Sequence, residues 1–102
     1  MLTDHEPLKI ASGVLARTTI DSVLRSTSYH ARGWKILDRW ALNSSGRLRE
    51  LEADGELLLL ERLLEQQRLE QEALVSPHGL AQQARGLAEH EILALCGIPD
   101  GL

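Results

Sequence analysis

Six of the eight residues from Leu57 to Leu64 are leucine, interrupted only by Glu61 and Arg62. At about 100° per residue, Leu57, Leu59, Leu60, Leu63 and Leu64 share one helical arc of about 160°. Leu58 points away from that arc, near the direction of Leu51 and Leu69. The strictly polar stripe of Glu61, Glu65, Arg68 and Glu72 is only about 60° wide, narrower than a surface helix of a small monomer usually shows. Such a helix must touch neighbours on more than one side. Leaving Leu51, Leu58 and Leu69 uncovered forgoes about 1.5–3 kcal/mol per leucine, a substantial loss against a total stability of about 5–15 kcal/mol. The expected cover is a second copy of the chain or another protein; the alternative is a helix central to a monomeric bundle. Leu57, Leu60 and Leu64 run into Gln67 and Gln71 at the heptad positions. That break argues against a long parallel coiled coil and for an antiparallel or four-helix arrangement.

The rest of the chain points to the same class. Leu, Ala, Glu, Arg and Gln supply 55 of the 102 residues, while Ile and Val together number 8 and Phe is absent. Strong helix formers in that excess argue against a β-sandwich or a buried parallel sheet. The expectation is an all-α protein: a small bundle of four to five helices with one long central helix. It forms a single domain over residues 1–102, with 1–6 and 97–102 frayed or looped. Two short helices are predicted between Pro7 and Ser26, broken near Arg17–Thr19, with Thr18 and Asp21 at capping-box spacing. From Tyr29 to Leu42 the pattern is amphipathic, with Tyr29, Trp34, Ile36, Leu37, Trp40 and Ala41 on the apolar half. Lys35, Asp38 and Arg39 occupy the other half, and Asn43-Ser44-Ser45-Gly46 stops the helix. Arg47 to Val75 reads as one continuous helix with a weak point at Gly55. Ser76-Pro77-His78-Gly79 ends it. A last helix is predicted from Leu80 to Cys96, burying Leu80, Ala84, Leu87, Ala88, Ile92 and Leu95.

Charge is divided unevenly. Residues 1–49 hold eight Lys/Arg against four acids, and residues 50–102 hold three against eleven. Two halves of opposite sign can attract each other, within one chain or between copies. Alternatively the basic half binds nucleic acid. Arg25, Arg32, Lys35 and Arg39 follow or flank a Ser/Thr turn and could meet phosphates or guanine edges. The stretch Gly13-Val14, Thr18-Thr19-Ile20 and Val23-Leu24-Arg25 resembles a helix-turn-helix, although Lys9 stands where that motif has a small residue. The overall charge of −4 weighs against the nucleic-acid alternative, because non-specific affinity depends on cations at the phosphates.

Other chemistries find less support. His78, His90 and Cys96 match no compact metal-ligand spacing. Cys96 and His90 differ by about 240° around a helix, so they do not face one another as nucleophile and base. The lone cysteine is expected as a small buried apolar residue. Gly46, Gly55 and Gly79 stand singly rather than in a phosphate-cradling loop. Tyr29–Leu42 has too few cations for a membrane-surface helix. No signal-peptide pattern or apolar run of about 20 residues occurs, so a reducing cytoplasm is the expected compartment. The sequence thus predicts a non-enzymatic protein-interaction module without metal or cofactor. It acts as a homo-oligomer, or as an adaptor or inhibitor of a larger protein. Its contact ridge is Leu51, Leu57, Leu58, Leu60, Leu64 and Leu69, with Glu61 and Glu65 at the rim. A dimeric nucleic-acid-binding regulator is the alternative.

Overall fold

Two single residues, Ser44 and Gly55, divide the middle of the chain into three consecutive helices. The computed structural model describes residues 7–102, in which every regular element is helical and no strand occurs. A three-residue 3-10 turn at Ala11–Gly13 precedes α1 (Arg17–Arg25), α2 (Ala31–Asn43) and α3 (Ser45–Asp54). The 20-residue α4 (Glu56–Val75) follows, then α5 (Pro77–Ala84) and α6 (Glu89–Leu95). α4 packs against α2, α3, α5 and α6.

The main core gathers around α2. Ile36, Leu37 and Trp40 are fully buried, with Tyr29 and Ala41 nearly so, and Trp34 packs on them from a half-buried position. This is the face that helical periodicity assigns. The His30 Nδ1 atom accepts from the Arg32 amide at 3.4 Å and starts the helix. Arg62 of α4 lies over the Trp40 ring at 5.1 Å, adding a cation–π contact to the packing. Carboxylates from elsewhere anchor the N-terminal segment: Asp38 accepts from the Ala11 amide and Glu52 from the Ala16 amide, both at 2.8 Å. A second, smaller cluster joins Leu74 of α4 to Ile92 and Leu93 of α6, with Leu87 and Ile98 against it.

The structure corrects several expectations. Among the described residues there are six α-helices rather than four or five, because two predicted helices are each split. Gly55 is extended (φ 159°, ψ 130°) and ends α3 instead of carrying it into α4. The break lets α3 fold back along α4. Gly86, at φ 92°, occupies the left-handed region between α5 and α6, where a glycine is free of side-chain clash. A fresh start then follows, with the Glu91 carboxylate accepting from the Ala88 amide at 2.9 Å. That interruption changes the phase of the last segment. Leu80 and Leu95, expected inside, are 53% and 62% exposed, Ala84 and Ala88 are also exposed, and Leu93 is buried instead. Near the start, one 3-10 turn and one helix replace two helices, and Ala16 rather than Thr18 precedes α1. The stretch likened to a helix-turn-helix therefore lacks its first helix. Ser76 and Pro77 do stop α4, but they also begin α5, with Ser76 Oγ accepting from the Gly79 amide at 3.0 Å. Cys96 is exposed rather than buried. The expected frayed start, residues 1–6, lies outside the described residues.

Candidate protein-interaction site

The two sides of α4 have opposite surroundings. Leu59 and Leu63 reach the main core and Leu74 reaches the small one. The buried stripe between them is polar: Gln66, Gln67 and Glu70 are at most 5% exposed. A buried polar group costs free energy unless it is hydrogen-bonded, and each of these three is. The Gln67 carboxamide accepts from the His30 amide at 3.1 Å and donates to the Ser28 carbonyl at 2.8 Å. It thereby bonds the backbone that leads into α2. Gly33 makes that geometry possible, since a Cβ there would collide with the Gln67 carboxamide oxygen.

Gln66 and Glu70 tie α4 to α2 and to the chain's last residues. Gln66 Nε2 donates to Glu70 and to the Pro99 carbonyl, both at 2.7 Å, and Gln66 Oε1 accepts from Arg62 at 2.8 Å. Glu70 pairs with Arg39 at 2.6 Å, and Arg39 Nε donates to the Asp100 carbonyl at 2.6 Å. Residues 97–102 form no helix, yet these contacts hold them against α2 and α4. Leu102 packs on the main core beside Leu51.

On the far side of α4, Leu57 is 68% exposed and Leu64 41%, while Leu58, 52% exposed, points sideways into a groove with Leu51, Arg62 and Leu102. Val75 continues the same stripe at 53% exposure. Leu51, Leu60 and Leu69 are half-buried, and the first two pack on the main core. The leucine arc thus splits: Leu59 and Leu63 go inward, while Leu57 and Leu64 face outward. Glu61 and Glu65 are exposed beside them. Arg68 donates to Glu65 at 2.8 Å and Glu72 at 3.1 Å, and these bonds raise its pKa further above the ordinary arginine value. Burial, reinforced by the nearby Glu61 charge, raises the Tyr29 pKa; its hydroxyl donates to the Leu60 carbonyl.

The four residues nominated for nucleic acid have different surroundings. Arg32, Lys35 and Arg39 line one cleft of about 500 Å³ between α2 and α6, but Glu70, Glu89 and Asp100 line it too. Arg39 is committed to Glu70. Arg32 pairs with Glu89 at 3.0 Å and donates to Gln71 at 3.1 Å. The hydrogen bond from Arg32, helped by the Arg32 and Lys35 charges and opposed by partial burial, lowers the Glu89 pKa. Lys35 and Arg25 remain exposed. The basic and acidic halves of the sequence meet here, inside one chain. His78, His90 and Cys96 are exposed, and no group of three His, Cys, Asp or Glu suited to a metal ion occurs among the described residues. No helix among them is long and apolar enough to cross a membrane.

The chain matches no protein-family model, no curated protein and no solved structure. The outward stripe of α4 must therefore be interpreted from its own geometry. Sequence reasoning placed its leucines on one arc and missed Gln66, Gln67 and Glu70 altogether. One signal could have found them. The direction shared by Leu59, Leu63 and Leu74 runs through positions 66, 67 and 70, so a helix buried along its whole length must bury those residues.

Proposed function

We propose that this chain is a non-enzymatic protein-interaction module of the cytoplasm, and that the outward stripe of α4 is its contact surface. One observation carries the proposal. Leu57, Leu64 and Val75 stay exposed on a helix whose opposite side is packed along its length by the chain's own segments. Clustered exposed apolar side chains with polar neighbours are the usual mark of a docking surface. The contact set narrows accordingly to Leu57, Leu64 and Val75, with Glu61, Glu65 and Arg68 around them, and Leu58 lies to one side of it. Leu51 and Leu60 contribute to the core, and Leu69 sits at the edge.

The nucleic-acid alternative has less support, because Arg32 and Arg39 already neutralise Glu89 and Glu70. Phosphates would have to compete with those carboxylates.

The test is site-specific photo-crosslinking in the producing cell, with a photoreactive amino acid at position 57 or 64 and a control at exposed Leu42. The expected result is a discrete protein adduct from 57 and 64 that is absent from 42. No adduct from either α4 position would sink the proposal.

A further inference from the structure

We infer that the partner is a second copy of this chain, docked with α4 antiparallel to α4 about a two-fold axis between Leu64 and Glu65. The inference rests on the interaction reading above and names its partner. Leu57, Glu61, Leu64, Arg68, Gln71 and Val75 recur at alternating steps of four and three, so they share a stripe about 80° wide. Within that stripe the charges have a centre. Glu61 and Arg68 lie equally far to either side of the Leu64–Glu65 midpoint, each about 5 Å along the axis at 1.5 Å per residue.

A two-fold axis there sets Glu61 against Arg68 of the partner subunit, and the reverse pair follows by symmetry. The two copies of Leu64 meet beside the axis. Each enters the hole bounded by Glu61, Leu64, Glu65 and Arg68 on the facing helix, the spacing of knobs-into-holes packing. Leu57 falls into the next hole, bounded by positions 68, 71, 72 and 75. A parallel arrangement in register would place Glu61 against Glu61 and Arg68 against Arg68, so charge selects the antiparallel one.

Of the groups needed for those pairs, Glu61 forms no ion pair among the described residues, and Arg68, already held by two carboxylates, keeps one donor. Arg68 uses Nη1 for Glu72 and Nη2 for Glu65. Its Nε–H, one of five guanidinium donors, is left for a third carboxylate. The stripe also sets the sign of the salt response. Glu61, Glu65 and Glu72 outnumber Arg68 on each copy, so two such faces repel overall. Apolar contact then drives association, and the Glu61–Arg68 pairs fix its register. Screening relieves the net repulsion, and added salt strengthens the dimer.

Sedimentation of the purified full chain across the micromolar range tests this. A monomer–dimer equilibrium that tightens with salt is expected. Leu64→Glu and, separately, Arg68→Glu should each weaken it about tenfold or more, while Glu61→Arg, which loses the pairs but also the net repulsion, should abolish the strengthening by salt. The double exchange E61R/R68E should return it to within about threefold of wild type. Orientation is read in a Cys96→Ser background. Leu64→Cys is expected to form a disulfide-linked dimer. Leu57→Cys should not, since the two copies of position 57 lie about 22 Å apart along the axis. A chain that stays monomeric throughout overturns the self-pairing. So do a dimer indifferent to the charge reversals, and one that Leu57→Cys also crosslinks. If the photoreactive positions then still capture a different protein, the interaction reading survives without the homodimer. If they capture nothing, both fail.

Discussion

The inward side of α4 buries two glutamines and a glutamate, while its outward side exposes leucines at positions 57 and 64. Ranking by hydropathy would reverse the two. The difference lies in what each side finds opposite it. Inward-facing polar groups meet unpaired backbone at the start of α2 and at Pro99, together with the Arg39 guanidinium. Outward-facing leucines meet nothing among the described residues that covers them. Burial here follows the supply of hydrogen-bond partners as much as aversion to water.

Substitutions that separate the two sides test the contrast. The largest effect is expected at Glu70. In Glu70→Ala, Arg39 loses its carboxylate at the edge of the core and Gln66 loses an acceptor. Breaking a fully buried pair from one side costs about 3–5 kcal/mol; with Arg39 26% exposed and still bonded to the Asp100 carbonyl, about 3 kcal/mol is expected, measured as a lower urea midpoint with unchanged slope. Gly33→Ala comes next. Alanine normally gains about 1 kcal/mol over glycine within a helix. Here the new methyl displaces the Gln67 carboxamide from the His30 amide and Ser28 carbonyl, so a net loss of about 1–3 kcal/mol is expected. Adding Gln67→Ala should cost less than the sum of the separate effects, because the clash goes with the side chain.

A smaller effect depends on pH. With its folded-state pKa held below the ordinary 4.5, the Glu89 carboxylate contributes stability that is present above that ordinary value. The contribution is lost as pH falls through the depressed one. Glu89 is half exposed, so Glu89→Gln should cost under about 1 kcal/mol near neutrality. Its thermal midpoint should converge on that of wild type in acid. The smallest effect belongs to the outward side. Leu57→Ala should leave the stability of the dilute chain within about 0.5 kcal/mol of wild type. A loss comparable to that at Glu70 would mean that Leu57 is covered.

Where local pattern and tertiary contact agree, the sequence was legible. α2 is the clearest case: its two tryptophans, Ile36 and Leu37 set a phase that nothing later in the chain contradicts. The Ser76-Pro77 stop was equally plain, because a proline without an amide hydrogen ends a helix whatever surrounds it. Legibility failed where a residue's place depends on something distant. Gln66 and Gln67 looked like interruptions of a leucine heptad, and they become core only because Ser28, His30 and Pro99 arrive opposite them. Gly86 stands among strong helix formers, Ala84, Leu87 and Ala88, so propensity continued the helix through it. Small-core contacts to Ile92 and Leu93 repay the break. Arg32 and Arg39 read as a ligand-facing pair until Glu89 and Glu70, 57 and 31 residues downstream, came to lie beside them.

Both tryptophans lie on α2, and the single tyrosine precedes that helix by two residues. All three belong to the larger cluster. No indole or phenol reports on the smaller cluster of Leu74, Ile92 and Leu93. Intrinsic fluorescence therefore follows the separation of α2 from α4 and is blind to loosening of α5 and α6. If those two short helices open first, only amide exchange or far-ultraviolet dichroism records it, and a melt followed by emission alone overstates how cooperatively the chain comes apart.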